Sequence, residues 1–361
     1  MSIEIKKCAV LGAGVMGAQI AGHIANAGIP SLLFDINEDL AQKGVDGLTK
    51  LKPAPLFTSS NASLITPCTY ENDIEKLSDC DLIIEAVAEK IEIKHLVYKN
   101  LLPHLKNDAI LASNTSGIPL ANLVEVLPED VQKNFLIAHF FNPPRYLKLL
   151  ELVKGKKTSD KVYKTMTEFG ETTLGKGIVH AKDTPGFIGN RLINAGGPLT
   201  YHKAIEMGLT VEDVDALSGT LVGNAKSAYF RTQDVVGLDT ALNVQNNMYE
   251  RVTTETEEER QKFKAPDMLV KLVEQGRLGQ KSGSGWYKKE GKQILSLDLD
   301  TMEYTPTKKR MFDTIRVGKP IKDLKKRLAA ITYLDDIGAK FLWEVNAPMF
   351  IYTAELIPEI A

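Results

Sequence analysis

The first 180 residues alternate short apolar runs with stretches of helical periodicity. Cys8–Leu11 is an apolar run that stops at a glycine, and residues 16–27 then carry a helical pattern that ends at Gly28. Later apolar runs and helical patterns continue this alternation. The runs cover residues 31–34, 81–87, 109–112, 135–140, 147–153 and 177–181, and the helical patterns cover 91–102 and 160–173. Strands that alternate with helices predict a mostly parallel sheet covered by helices on both faces.

One stretch interrupts this alternation. Residues 43–72 contain Lys52-Pro53-Ala54-Pro55 followed by a segment rich in Ser and Asn. Clustered Pro, Ser and Asn are typical of loops. We therefore expect residues 43–72 to leave the sheet and to lie outside its core.

The pattern changes after Lys182, where helical signals dominate. Asp183-Thr184-Pro185 predicts a helix start, Thr210-Val211-Glu212-Asp213 fits a capping box, and Ala265-Pro266-Asp267 precedes an amphipathic stretch that ends at Gly276. The glycine-rich residues 279–287 follow a helix instead of a strand, so they predict a closing turn and not a phosphate loop. The predicted fold is α/β, with a Rossmann-type sheet over residues 1–182 followed by a mainly α-helical domain over 183–290.

The first strand and helix are joined by a candidate dinucleotide site. Gly12-Ala13-Gly14-Val15-Met16-Gly17 is a G-x-G-x-x-G turn, whose backbone N–H groups can approach a pyrophosphate at the positive end of a helix. Asp35 follows the second strand, eighteen positions after Gly17, where a carboxylate can bind ribose hydroxyls. The carboxylate would repel a 2′-phosphate, and residues 34–37 contain no arginine. The motif predicts NAD binding in preference to NADP.

Polar residues after the fourth and fifth strands indicate where a substrate would react. Residues 113–116 read Ser-Asn-Thr-Ser and residues 139–143 read His-Phe-Phe-Asn-Pro, and ligands of such sheets bind at the carboxyl ends of the strands. Oxidation of an alcohol needs a base, for which His139 is the natural candidate. Glu151 lies in the apolar run Leu149–Val153. If it is buried it needs a partner, and an imidazole would serve.

Composition narrows the classes of partner. The 361 residues carry a formal net charge of -2, which gives no general attraction for nucleic acid. Three cysteines without a C-x-x-C spacing support neither a disulfide framework nor a metal site. No signal peptide is evident in residues 1–7, and no apolar run is long enough to cross a membrane. We expect a cytoplasmic protein without membrane insertion.

The motifs together resemble the 3-hydroxyacyl-CoA dehydrogenase family. Gly-Ala-Gly-Val-Met-Gly, Ser-Asn-Thr-Ser, His-Phe-Phe-Asn-Pro and the segment from Lys182 to Arg191 (Lys-Asp-Thr-Pro-Gly-Phe-Ile-Gly-Asn-Arg) follow one another in the family's order. The resemblance covers Lys6 to about Tyr287. It implies NAD-dependent oxidation of a 3-hydroxyacyl-CoA thioester to a 3-oxoacyl-CoA in fatty-acid β-oxidation. It also implies a mostly parallel Rossmann sheet followed by a helical domain that often forms the contact of a homodimer.

The resemblance also implies roles for individual residues. His139 would be the catalytic base and Glu151 its partner, with Ser116 and Asn190 near the reacting oxygen of the substrate. The residues implied near the cofactor are Gly12, Gly14, Val15, Met16, Gly17, Asp35, Glu89, Lys94, Asn114 and Asn142. Lys50 and Lys52 lie in the region that holds CoA in relatives, although no individual residue can be matched there.

The chain departs from the family pattern in two places. Residues 224–234 replace the Gly-Pro-Phe-Glu-Leu-like segment of many members. The preferred length of the substrate's acyl chain and the dimer contacts therefore do not follow from the resemblance. Residues 291–361 look like a connector and an incomplete second helical repeat, as in the long bacterial form fused to an enoyl-CoA hydratase domain. We expect apolar residues of this tail, such as Phe341 and Phe350, to pack back on the helical domain or to mediate self-association.

Two other functions stay open from the sequence. The first is a related dehydrogenase that acts on a small hydroxy acid or carbohydrate, as some relatives do. A comparison of free acids with CoA thioesters as substrates would distinguish it from the oxidation of a 3-hydroxyacyl-CoA. The second is a non-catalytic protein that still binds NAD. All four candidate catalytic residues are present, which argues against this function: His139, Glu151, Ser116 and Asn190.

Overall fold

The computed structural model describes residues 3–252 and 256–361. It separates into two compact units, of which one comprises the chain up to Ile188 with Pro358–Ala361 and the other comprises Gly189–Ile357. The first unit contains two buried apolar clusters and the second contains one.

An eight-stranded sheet organises the first unit. Its strands are β1 (Cys8–Leu11), β2 (Ser31–Asp35), β3 (Ile65–Thr69), β4 (Leu82–Glu85), β5 (Ile110–Ser113), β6 (Phe135–Phe140), β7 (Leu149–Lys154) and β8 (Gly177–Ala181). Their order across the sheet is β3-β2-β1-β4-β5-β6-β7-β8. All neighbours are parallel except β6 and β7, which are antiparallel. The predicted Rossmann-type sheet is confirmed.

Helices cover the sheet and bury alternate side chains of its strands. They are α1 (Val15–Asn26), α2 (Glu38–Leu48), α3 (Tyr70–Asp73), α4 (Ile91–Leu101), α5 (Leu120–Leu123), α6 (Glu129–Gln132) and α7 (Asp160–Glu168). On β1, Cys8 and Val10 belong to one apolar cluster, while Ala9 and Leu11 belong to the other. This alternation explains why the central strands are apolar without interruption, since both of their faces are buried.

The prediction that residues 43–72 leave the sheet is wrong for part of that segment. Ile65–Thr69 is the edge strand β3 and pairs in parallel with β2. The prediction rested on Lys52-Pro53-Ala54-Pro55 and the Ser- and Asn-rich stretch after it, and it extended past the start of β3. β3 contains Pro67, which lacks the N–H that a central strand needs. An edge strand tolerates proline, since its outer side has no neighbouring strand to accept from that N–H.

The second unit is mainly helical, as the sequence predicts. Its helices are α8 (Gly189–Glu206), α9 (Val211–Ser218), α10 (Phe230–Val236), α11 (Leu238–Arg251), α12 (Glu257–Gln261), α13 (Asp267–Glu274), α14 (Asp313–Gly318), α15 (Leu324–Ile331) and α16 (Ile337–Ile360), of which α16 ends in the first unit. Thr210 and Asp213 form the expected capping box at α9. A small antiparallel sheet of β9 (Tyr287–Glu290), β10 (Gln293–Leu297) and β11 (Tyr304–Pro306) was not predicted.

The helix start predicted at Asp183 is displaced to Gly189. The Asp183 carboxylate accepts hydrogen bonds from the backbone N–H groups of Leu120 and Ala121, so it caps α5 and not the helix that follows it in sequence. Gly186 and Phe187 have φ values of 72° and 49°, which a right-handed helix cannot contain. The chain therefore turns before α8 begins.

The last helix, α16, is buried along only part of its surface. Phe341 and Leu342 join the apolar cluster of the second unit, which confirms that the tail packs back on the helical part. Trp343, Phe350 and Ile351 are 54%, 72% and 60% exposed. Within the described part of the chain, no helix combines the length and apolarity needed to cross a membrane.

Candidate active site

The three glycines of the turn between β1 and α1 differ in why they lack a side chain. Gly12 has a φ of 100°, and a Cβ there would lie 2.7 Å from the carbonyl oxygen of Ala86. A Cβ on Gly17 would lie only 1.8 Å from the carbonyl oxygen of Gly12, so this glycine permits close packing of the helix on the turn. A Cβ on Gly14 would meet nothing within 4 Å. The space above Gly14 is therefore open to a ligand at the start of α1.

Asp35 faces this turn from the end of β2. One carboxylate oxygen, Oδ2, accepts a 2.7 Å hydrogen bond from the backbone N–H of Ala13, and Oδ1 accepts one from Ile36. The N-terminus of α1 has no side-chain cap, and Val15 in its first turn is 67% exposed, whereas Met16 is partly buried. An open helix end and a carboxylate beside it fit the pyrophosphate and ribose of NAD.

His139 and Glu151 lie directly opposite each other on the antiparallel strands β6 and β7. Nδ1 of His139 is 2.7 Å from Oε2 of Glu151, and the two residues are 6% and 0% exposed. The other oxygen, Oε1, accepts the backbone N–H of Ile188 at 3.0 Å. The strand register thus explains the twelve-residue spacing, and the pair leaves Nε2 of His139 as the ring nitrogen not directed at Glu151.

Two aromatic rings hold the imidazole of His139. The ring centroid of Phe141 lies 4.5 Å from that of His139, and that of Phe187 lies at 5.8 Å. Phe187 is 1% exposed and adopts a φ of 49°, which is rare for a bulky residue. No local pattern singles out Phe187, because only the fold brings it to the histidine.

A second polar cluster joins the ends of β4 and β5. Glu89 Oε1 accepts hydrogen bonds from the hydroxyl of Thr115 at 2.5 Å and from the backbone N–H of Ser116 at 3.0 Å. Lys94 Nζ lies 3.2 Å from Glu89 Oε2. Burial raises the pKa of Glu89, but the charge of Lys94 and these hydrogen bonds outweigh it and leave the pKa below its usual value. Glu89 is therefore held as a carboxylate.

Glu85 completes this cluster and was missed from the sequence. It is 0% exposed and accepts hydrogen bonds from Lys94 Nζ, the Tyr98 hydroxyl, the Ser113 hydroxyl and the backbone N–H of Val87. Burial, followed by the charge of Glu85, raises the pKa of Tyr98 well above its usual value, so that the phenol donates. The sequence contains a signal for this role, because Glu85 is an acidic residue at the end of an apolar strand, just as Glu151 is an acidic residue within one.

The remaining predicted residues lie in different places. Asn114 Oδ1 accepts the backbone N–H of Phe140, and Asn142 Oδ1 accepts from the side-chain amide of Gln19. Asn190 belongs to the second unit, near the start of α8, where its carbonyl oxygen accepts from the side chain of Asn194. The structure brings His139 to Glu151, Glu89 to Lys94 and Ser116, and Asp35 to the glycine turn.

The segment around Lys50 and Lys52 is anchored by other residues. Arg145 Nη1 donates to the carbonyl oxygens of Ala54 and Leu56 at 2.6 and 2.5 Å, and the Tyr146 hydroxyl donates to Ala54. The side chains of Lys50 and Lys52 are exposed. Their contact with a ligand stays a prediction.

Comparisons with known proteins agree with the resemblance seen in the motifs. The family model described as 3-hydroxyacyl-CoA dehydrogenase, NAD binding domain, matches residues 7–184, and that of the C-terminal domain matches residues 186–289. A probable 3-hydroxyacyl-CoA dehydrogenase of Bacillus subtilis is 41% identical and matches 100% of this chain, which covers 48% of that relative. A protein of the same description from Deinococcus radiodurans is 44% identical over 80% of this chain and 84% of the relative.

Solved structures give the same result. The crystal structure of FadB2 from M. tuberculosis is 33% identical, with a TM-score of 0.68 over 80% of this chain and 100% of that one. The present chain spans about half the length of its Bacillus relative. The two family models and the Deinococcus relative, of which this chain covers 84%, indicate the same family. The first family model identifies the N-terminal unit as an NAD-binding domain. The chain belongs to the 3-hydroxyacyl-CoA dehydrogenase family.

Proposed function

We propose that this chain oxidises the 3-hydroxyl group of a 3-hydroxyacyl-CoA to a 3-oxo group with NAD, as a step of fatty-acid β-oxidation. The observation that carries the proposal is the buried His139–Glu151 pair, held 2.7 Å apart in a Rossmann unit whose glycine turn and Asp35 fit NAD. A base, an oriented carboxylate and a dinucleotide cradle are the groups that alcohol oxidation needs.

His139 takes the hydroxyl proton in this proposal. Glu151 accepts from Nδ1, which fixes the neutral tautomer with a lone pair on Nε2. When Nε2 gains the proton, the adjacent carboxylate stabilises the positive charge of the ring. Phe141 and Phe187 restrict the ring's orientation. NAD, when bound, would supply the acceptor for the hydride that leaves the carbon bearing the hydroxyl group.

The other site residues divide into substrate and cofactor roles. Family membership supports Ser116 and Asn190 as polar groups near the reacting oxygen. Gly12, Gly14, Gly17 and Asp35, with Val15 and Met16, would hold the dinucleotide. Glu89, Lys94, Asn114 and Asn142 would border it, and their hydrogen bonds to neighbouring groups favour fixed positions over mobile ones.

The test is a spectrophotometric scan of NADH oxidation against 3-oxoacyl-CoA thioesters of increasing chain length. We expect turnover with at least one thioester and none with the corresponding free 3-oxo acids. Turnover of free acids alone would favour the small hydroxy-acid alternative. Absence of turnover with every thioester, in protein that still binds NADH, would favour the non-catalytic remnant.

We also propose the wider organisation that the sequence predicts. The NAD-binding domain comprises residues 1–182, of which Met1 and Ser2 lie outside the described residues. The helical domain comprises residues 183–290, followed over 291–361 by a connector and a segment similar to a second helical repeat. Exposed apolar side chains on α16 support a homodimer. The free thiols of Cys8, Cys68 and Cys80, all buried, support a reducing compartment such as the cytoplasm.

A further inference from the structure

The helical unit contains a cavity whose lining includes none of the residues assigned to hydride or proton transfer. Its volume is about 820 Å³, within the roughly 300–1,000 Å³ typical of small-molecule sites. Its walls come from α9, α10, α14, the strands β9 and β10 and the segments 307–312 and 319–320. All of these residues belong to the second unit.

Positive charge dominates this cavity. Two acidic residues line it, Glu212 and Asp213, against six cationic ones. The cationic residues are Arg231, Lys308, Lys309, Arg310, Arg316 and Lys319. The chain as a whole has a formal net charge of -2. The concentration of cations at one concave surface is therefore local and does not reflect the overall composition.

Carboxylates pair with two of these six cations, Arg310 with Asp213 and Arg316 with Asp313, and leave the three lysines. Oε1 of Glu212 accepts the backbone N–H of Lys308, and Asp213 serves the capping box of α9, with Arg310 Nη1 at 3.8 Å. Across the part of the chain that the structure describes, Lys308, Lys309 and Lys319 make no ion pair within 4.0 Å, although the charge of Lys308 acts on the carboxylate of Asp298. Three ammonium groups are thus available to an anion from outside the protein.

The cavity also offers surfaces suited to a flat ring. The guanidinium of Arg231 lies 4.6 Å from the ring centroid of Tyr287, and that of Arg310 lies 5.3 Å from the ring centroid of Phe312. Met311, in the same wall, is 83% exposed. Both rings are buried, at 9% and 3% exposed, whereas the guanidinium of Arg231 is exposed. The outer face of a guanidinium can stack on a nucleobase, and an apolar side chain such as Met311 can cover its edge.

We propose that this cavity binds an adenine nucleotide, with its phosphates held by Lys308, Lys309 and Lys319 and its base against the guanidinium of Arg231. Phosphate groups on an adenine-bearing ligand combine the negative charge and the flat apolar ring that the lining complements. Free ADP and the 3′-phospho-ADP head of CoA share this chemistry. The site is separate from the glycine turn, which belongs to the other unit.

Calorimetric titration of the full chain with ADP, in the presence of saturating NADH, tests the proposal. NADH occupies the Rossmann site, so that any ADP bound must lie elsewhere. We expect one ADP per chain, with the dissociation constant raised at least tenfold in the variant K308E/K309E. The matched control is K325E/K326E, an equal charge change on exposed lysines of α15 outside the cavity lining, for which we expect less than a twofold change.

A parallel titration with 3′-phospho-ADP distinguishes the two sources of the ligand. Tighter binding than ADP identifies the head of CoA, and equal binding identifies the free nucleotide. No ADP binding to the NADH-saturated protein would overturn the proposal. An equal weakening in both double variants would also overturn it, because the lysines would then act as a general basic surface. Thermal unfolding of each variant checks that its fold is retained.

Discussion

The ammonium group of Lys94 lies 2.7 Å from Oε1 of Glu85, and the two side chains are 1% and 0% exposed. Glu85 also accepts from the hydroxyls of Tyr98 and Ser113, so that three side-chain donors are directed at one carboxylate. Breaking a buried ion pair on one side costs about 3–5 kcal/mol, because the remaining charge is left without a partner. Glu85 is thus placed to fix Lys94, which in turn contacts Glu89.

The first prediction concerns this positioning role of Glu85. We expect E85Q to lower the unfolding free energy by about 3 kcal/mol and to raise the KM for NAD more than it lowers kcat. The displaced Lys94 would disturb Glu89 and not the His139 base. Chemical denaturation and steady-state kinetics measure the two effects.

A double variant separates stability from positioning. E85Q/K94M removes both charges and should recover most of the lost stability, while the KM for NAD stays high. If the double variant recovers the KM as well, Lys94 has no role at the cofactor, and the prediction fails.

His139 is expected to serve the proton and not the dinucleotide. H139A should lower kcat by about 10²–10⁴-fold, the range for loss of a general base. The NADH dissociation constant, measured by fluorescence titration, should change less than twofold. A comparable loss of NADH affinity would show that the imidazole acts in cofactor binding instead.

Gly14 and Gly17 should respond differently to the same substitution. A methyl group on Gly17 would overlap the carbonyl oxygen of Gly12, so we expect G17A to lower the melting temperature strongly. A methyl group on Gly14 meets nothing within 4 Å, and its φ of -65° suits alanine. We therefore expect G14A to keep the melting temperature and to weaken NADH binding at least tenfold. Normal NADH binding by G14A would contradict a pyrophosphate at this turn.

Sequence and structure agree best where local pattern decides the outcome. The unit β1-turn-α1-β2 could be predicted, because the glycine spacing and the apolar runs of Cys8–Leu11 and Ser31–Asp35 are local signals. The contact between His139 and Glu151 depends on strand register, which the sequence does not state, although burial of a carboxylate argued for a partner.

Long-range contacts account for the errors. Asp183 looked like a cap for the helix after it, but it caps α5, more than sixty positions earlier in the sequence. The edge strand β3, predicted as part of a loop, pairs with the distant β2, and Phe187 reaches His139 through a left-handed turn. In each case a local preference was satisfied by a distant partner that periodicity cannot reveal.

His23 predicts a pH dependence of stability. It is 7% exposed, its Nε2 lies 3.0 Å from the carbonyl oxygen of Leu174, and Nδ1 has no partner among the described residues. Burial, followed by the charge of Lys176, lowers the pKa of His23 to about 4. The unfolded chain, with a histidine pKa of about 6.5, then binds more protons than the folded chain between those two values.

Stability from this group is therefore fully present above pH of about 6.5 and is lost as pH falls toward 4, by about 3 kcal/mol in total. The variant H23Q, whose amide can still donate to Leu174, should show a smaller loss of unfolding free energy between pH 7 and pH 4. Denaturant unfolding at both pH values measures it, with H202Q at an exposed histidine as the control. An unchanged pH dependence in H23Q would exclude His23 as its source.

The exposed face of α16 predicts self-association. Phe350 and Ile351 are 72% and 60% exposed, and clustered apolar side chains of this kind mark interaction surfaces. We expect light scattering to give the mass of two chains for the unmodified protein and of one chain for F350S/I351S. Because both side chains lie at the surface, the substitutions should leave the chain's own packing intact, and far-ultraviolet circular dichroism should not change. A single-chain mass for the unmodified protein would rule out the homodimer, and a two-chain mass for the variant would place the contact on another surface.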